Sequence, residues 1–280
     1  MHFIFNIIVA IALLSVNIEA QASNKDDFLV PYAKLLSKYV HPSTKNGIKG
    51  TGVDYLGWQS DPLHAEALEL LLSVNTSEVN TKEDKLSFWT NAYNLLTIDL
   101  IIKQGERETI HNLGGLVGDP WNEFSWVIDG LEYTLGQIHH QTLRLLGEPR
   151  VHFALTCAAV SCPDLKNEPY WPEKIYSQLE NRTTLFIKNK GKGAVAIIPK
   201  QGRSHIRKRH TFNASQMFQW FTNDFDSGQI KHFIGRYIPL ERAEFGTYLN
   251  HDWALNALKG KEPEARERIK KEPDAEALYE

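Results

Sequence analysis

Neither sign of charge is in excess: 31 Lys and Arg against 34 Asp and Glu leave a formal net charge of −3. A balance of that kind argues against a polyanion partner, and no nucleic acid binding is expected. Cysteine is scarce, with two residues in the whole chain, Cys157 and Cys162. Any thiol or disulfide chemistry is therefore confined to one stretch. A membrane-length apolar run is missing as well. The segment Ile7 to Leu14 falls short of the ~20 residues a span needs, and Asn6, Ser15, Asn17 and Glu19 interrupt its surroundings. No Gly-Lys-Ser/Thr ending follows the glycine-rich loop Gly114 to Pro120, so a phosphate cradle is not expected there. No internal repeat is visible.

Residues 1–22 have the length of a signal peptide, and Ala20-Gln21-Ala22 is an A-x-A cleavage pattern, although no Lys or Arg precedes the apolar run. Cleavage near Ala22 would leave a secreted or periplasmic chain with no transmembrane helix. In that oxidising compartment two cysteines can pair. From Lys259 the sequence is charged and reads as a solvated tail over 259–280. Residues 23–258 then form a single domain. The whole chain, with 42% hydrophobic residues, seven Trp, thirteen Phe and ten Tyr, has material for one large core.

Helical spacing is clear over Leu29–Val40, and Pro62 starts a second helix. Thr81 to Asp84 reads as a capping box opening a helix that closes at Gly105. That helix is apolar nearly all round, hence buried. Asp129-Gly130 is the type I′ pair of a hairpin, and Thr134 with Gln137 caps a helix running to Leu146. Ser43 to Gly57 reads as loop, and Asn213 with Gln216 as the cap of a helix over Ser215–Phe221. Further expectations are a helix from Pro172 and strands at Val195–Ile198 and Tyr248–Trp253. Strands come as hairpins rather than in alternation with helices, so the fold class is α+β, helix-rich, with short antiparallel hairpins.

The organising stretch is Arg150 to Leu165, RVHFALTCAAVSCPDL. Its apolar opening reads as a buried strand ending near Pro163, with a cleft at the strand end exposing Cys157. A cysteine nucleophile there would act on an amide, ester or thioester. Residues five apart on a strand lie ~16 Å apart, so His152 needs a sharp bend to reach Cys157. His140 or His251 is the alternative base, Asp252 a natural orienter of the imidazole, and Asn91 or Asn94 an oxyanion donor. Other readings stand beside these. The cysteines pair if the Ala-Ala-Val-Ser loop brings them together, a ring worth roughly 2 kcal/mol by chain entropy. His152, Cys157 and Cys162 make a partial zinc set lacking a fourth ligand, so no metal is expected. Buried asparagines usually pin backbone, and His139 and His140 can be plain helix-surface residues. The basic arm Arg203, Arg207, Lys208 and Arg209 suits an anionic ligand or a solvated edge strand.

Several segments in order, FWTNAYNLLTI (88–98), LGQIHHQTLR (135–144), the cysteine stretch and YLNHDWALN (248–256), supported by FQWFTNDF (218–225), resemble the domain of unknown function 547 family. That family occurs in exported bacterial proteins and in plants. The resemblance runs from about Phe28 to Leu258 and implies no settled activity. The family's usual Ile-Glu-His is here Ile138-His139-His140, so His139 replaces the Glu. The plant branch has serine at the position of Cys162, which implies that pairing does not define the family. The expectation is a cysteine-dependent hydrolase or acyl transferase built on Cys157, His140, His152, Asp252 and Asn91, with no cofactor. Its partner would be a small molecule, a peptide or an envelope component. The alternative is a non-catalytic envelope domain that binds a ligand or acts as a scaffold, with Cys157 and Cys162 joined.

Overall fold

The computed structural model describes residues 24–115, 118–197, 210–240 and 242–265. The leader, the basic arm and the tail from residue 266 lie outside the described residues. In chain order the elements are α1 (Leu29–Tyr39), β1 (Val40–Lys45), β2 (Ile48–Val53), α2 (Tyr55–Gln59), α3 (Leu63–Leu72) and α4 (Lys82–Gln104). Next come α5 (Pro120–Glu123), β3 (Ser125–Ile128), β4 (Leu131–Thr134), α6 (Leu135–Gln137) and α7 (Ile175–Lys188). The last are β5 (Ala194–Ile197), β6 (Thr211–Ser215), α8 (Met217–Trp220), α9 (Ile230–Gly235) and β7 (Glu244–Leu249). Two antiparallel hairpins, β1–β2 and β3–β4, and a sheet ordered β5-β6-β7 make the fold α+β and helix-rich. In that sheet β6 pairs with β7 in parallel. Among the described residues no helix is long and apolar enough to cross a membrane.

The hub is α4. Thr81 and Asp84 exchange side-chain and backbone hydrogen bonds at its start, and Gly105 ends it in the left-handed region at φ 59°. Every residue from Leu86 to Ile102 is buried. Around it packs one apolar cluster that includes Tyr32, Trp58, Ile128, Val151 and Leu155. A second cluster lies over the three-stranded sheet and contains Phe153, Phe186, Phe218, Phe225 and Phe233. Each such ring removed from water contributes about 1.5–3 kcal/mol.

Besides the strand expected at Tyr248–Trp253, of which only Tyr248 and Leu249 lie in a strand, the end of β7, three local readings need correction. The stretch taken for loop after Ser43 is the β1–β2 hairpin, turned at Asn46 and Gly47 with φ of 52° and 80°, the signature of a type I′ turn. Asn213 caps no helix. It lies within β6, and its Oδ1 accepts from the Thr247 amide. The strand expected at Val151–Leu155 is instead a 3₁₀ helix, Pro149–Phe153, with Pro149 in its first turn and the Glu148 carboxylate accepting from the Arg150 amide. A strand would set Val151 and Phe153 on one face. With three residues per turn they diverge, Val151 entering the first cluster and Phe153 the second. His152 between them is left to face a cleft.

Candidate functional site

From Ala154 the chain runs irregularly to Pro163, and its backbone is held from outside. Asn94, buried on α4, donates from Nδ2 to the Ala154 carbonyl at 2.9 Å and accepts from the Thr156 amide at 2.9 Å. The segment Asp252 to Asn256 runs alongside. The Val160 amide donates to the Ala254 carbonyl, the Ser161 amide to that of Asp252, and the Asn256 amide to that of Ala158. Ala158 takes a left-handed φ of 58°, which turns the chain back on itself. That turn brings Cys157 and Cys162 to a Cα separation of 5.7 Å, and the two are joined as a disulfide. Cys162 is fully buried, whereas Cys157 is half-buried. His251, placed by the neighbouring segment, has Nε2 3.7 Å from Cys162 Sγ.

Cys157 and His251 face a cleft of about 360 Å³. Tyr93, Trp121, Trp220, Phe221 and Trp253 form its aromatic walls, and His139, His140 and His152 line its other end. The helix begun by α6 widens into a π-turn over Ile138–Leu143, an irregularity often found at functional sites. The adjacent rings of His139 and His140 stack at 4.6 Å and both reach the cleft.

The histidines form a directed chain. Arg144 grips Asp224 with two nearly parallel bonds, Nε to Oδ2 at 2.7 Å and a terminal nitrogen to Oδ1 at 2.9 Å. Asp224 Oδ2 also lies 2.8 Å from His152 Nε2, and His152 Nδ1 lies 3.0 Å from His139 Nε2. Phe221 stacks on His152 with ring centres 4.2 Å apart. Hydrogen bonds from His152 and Arg144 hold the Asp224 carboxyl well below the usual range, so it is ionised and can only accept. Burial pushes His139 well below an ordinary imidazole, and lowers His152 despite the carboxylate beside it. Both rings are therefore neutral at pH 7, and the tautomers follow from the acceptor at the end of the chain. His152 carries its proton on Nε2, toward Asp224. Its Nδ1 accepts from His139 Nε2–H, which leaves His139 Nδ1 as a lone pair. Among the described residues nothing hydrogen-bonds that atom.

Opposite, the Tyr93 hydroxyl accepts from Trp121 Nε1 at 3.0 Å, so its own proton is free to donate. Burial raises Tyr93, which keeps that proton in place at neutral pH. The Tyr93 and His139 rings are 6.0 Å apart.

Cys157, His140 and His152 line one cleft, but not in the relations a thiol–imidazole site needs. Cys157 lies on an irregular loop rather than at a strand end, and it is bonded to Cys162 rather than free. His140 contacts Arg144 and His139 instead of sulfur. Asp252 does not orient His251 through a hydrogen bond. Its carboxylate accepts from Asn46 Nδ2 and the Ala254 amide, fixing the segment's path. Asn91 is not among the residues that line the cleft; its amide bonds both backbone groups of Tyr170 and so pins that backbone instead. The partial metal set also changes. The donors close together, within 4.8 Å, are those of Cys157, Cys162 and His251, with His152 elsewhere. Sulfurs bonded to each other make poor ligands, so that set needs the reduced chain. Asp224, Arg144, Phe221, Tyr93 and the role of His139 escaped sequence reasoning. The hints were the quoted segments that carry them: 88–98 holds Tyr93, 135–144 holds His139 and Arg144, and FQWFTNDF holds Phe221 and Asp224.

The family described as protein of unknown function, DUF547, matches the chain over residues 76–187, and over those residues the chain resembles it. That range contains Tyr93, His139, His140, Arg144, His152 and both cysteines, but not Asp224 or His251. No curated protein matches the chain, and no solved structure does.

Proposed function

We propose that this chain is an exported hydrolase of small esters or amides, with His139 as general base and Asp224 and His152 as its positioning residues. The observation that carries the reading is the Asp224–His152–His139 hydrogen-bonded chain at the edge of an aromatic cleft, in which the tautomers assigned above leave His139 Nδ1 unprotonated. A water bound there gives its proton to His139 Nδ1 as its oxygen attacks the substrate carbonyl. The imidazolium so formed keeps its Nε2–H bond to His152, whose other face is held by the Asp224 carboxylate. It returns its Nδ1 proton to the leaving oxygen or nitrogen as the tetrahedral intermediate collapses and the scissile bond breaks. The Tyr93 hydroxyl donates to the carbonyl oxygen as charge develops on it. The ring-lined walls suit a substrate with a flat or cyclic group. Catalysis through Cys157 requires the reduced chain, since a disulfide sulfur carries no thiolate.

A second reading is a non-catalytic envelope domain that binds a small molecule or peptide in the same cleft. The joined cysteines and aromatic lining favour it. A panel of 4-nitrophenyl esters and aminocoumarin amides separates the two. The hydrolase reading expects turnover that falls by about 10²–10⁴ in His139→Asn with KM little changed. Saturable quenching of tryptophan fluorescence without turnover leaves the binding reading.

A further inference from the structure

The sulfur end of the cleft has no part in the hydrolytic reading. The two sulfurs are unequal. Cys157 lines the cleft and is half-buried, while Cys162 has no exposed surface. On the Cys162 side stands an imidazole, with His251 Nε2 3.7 Å from Sγ. The Trp253 ring lies against His251 at 4.1 Å and Trp220 at 5.1 Å, so that imidazole is shielded on its faces. Lys192 Nζ is bonded to the Cys162 carbonyl at 2.9 Å and to Asp164 at 2.6 Å, which anchors the residue that would have to leave. The loop between the cysteines holds Ala158 in the left-handed region, a conformation an L-residue keeps only under constraint.

We propose that Cys157–Cys162 is a thiol–disulfide exchange centre that accepts two electrons from an external dithiol. The thiolate of the incoming dithiol attacks Cys157 Sγ, the one sulfur accessible from the cleft. A new bond forms between the external sulfur and Cys157 while the Cys157–Cys162 bond breaks. The electron pair leaves on Cys162 Sγ, where the Nε2–H of a neutral His251 hydrogen-bonds it. The attacking thiol has lost its proton to water, and Cys162 takes one up from water. The second thiol of the substrate, as thiolate, then attacks the external sulfur of the mixed disulfide and expels Cys157. The external dithiol ends as a disulfide and the protein as a dithiol. Attack from the cleft selects thiols on a narrow, extended group, such as a peptide bearing two nearby cysteines.

The test uses the folded, oxidised full chain with reduced glutathione as the attacking thiol, quenched with acid, alkylated and weighed by mass spectrometry. The disulfide is expected to open without denaturant. In Cys162→Ser, oxidised glutathione should form a mixed disulfide at Cys157, whereas Cys157→Ser should form none at Cys162. Replacing His251 by Phe should slow opening of the wild-type disulfide about tenfold, through the leaving sulfur. It should leave the rate of mixed-disulfide formation in the Cys162→Ser background unchanged. That split is one a merely structural histidine would not give. Circular dichroism confirms that each variant is folded. A disulfide that resists glutathione until the chain is unfolded overturns the proposal, and so does equal reactivity of the two sulfurs. Uptake of zinc by the reduced chain that blocks both thiols from reoxidation also overturns it.

Discussion

His139 Nε2 and His152 Nδ1 meet at 3.0 Å, although the two residues come from different elements, one from a widened helical turn and one from a 3₁₀ helix. Only one of the two nitrogens can carry the shared proton. Asp224, an ionised acceptor on the far side of His152, decides which.

Exchanging that acceptor for a donor should reverse the chain. In Asp224→Asn the new amide can donate to His152 Nε2, which moves the His152 proton to Nδ1. His139 must then accept at Nε2 and carry its own proton on Nδ1, where the lone pair is needed. Turnover is expected to fall on the order of 10²–10⁴, with KM within a few-fold of wild type. Steady-state kinetics on the best ester of the panel checks it. A fall in affinity with kcat intact would assign Asp224 to binding instead.

The two buried asparagines of α4 should separate by stability rather than by rate. Asn94→Ala leaves the Ala154 carbonyl and the Thr156 amide without their partner, at a cost of about 2–4 kcal/mol. Asn91→Ala is milder, about 1–3 kcal/mol, because the Tyr170 carbonyl keeps its bond from Ser87 Oγ at 2.7 Å. Urea denaturation gives both values. Turnover per folded Asn91→Ala molecule should be unchanged; a rate loss beyond tenfold would return Asn91 to the chemistry.

Much of this architecture was legible because it is written locally. Thr81 with Asp84, Thr134 with Gln137 and Asp129-Gly130 are bonds or turns between near neighbours, and all three fall where the sequence puts them. Asn46-Gly47 was equally legible but passed over, because the strands it joins, VHPSTK and IKGTGV, lack an alternating apolar face. The run Val151 to Leu155 gave the wrong element because Val151-His152-Phe153 alternates as a strand does, although its two apolar residues enter different cores. The relay was out of reach for another reason. Residues 139, 152 and 224 meet only through packing of the second core, in which Phe153 and Phe225 touch at 5.7 Å. Sequence spacing carries no trace of that.

Stability should depend on pH in a defined window. Burial lowers His139 and His152, and lowers His251 to about 4. An unfolded imidazole titrates near 6.5, so between those values the unfolded chain binds more protons than the native one. For His251 the contribution is complete above about pH 6.5 and is lost as pH falls toward 4; that of His139 and His152 has the same sign. For His251 the loss amounts to at most roughly 3 kcal/mol. Asp224, depressed instead, holds its contribution above the ordinary carboxylate range and loses it only at lower pH. Denaturant midpoints measured from pH 7.5 to 4 should fall, and fall less steeply in His251→Gln.

Nitrogen-15 spectra of the histidine rings test the relay most directly. At pH 7 His139 and His152 should both show a protonated Nε2 and a bare Nδ1, with His139 still neutral well below pH 6.5. A His139 ring that carries its proton on Nδ1, or that titrates like a free imidazole, would contradict the assignment of this residue as the base.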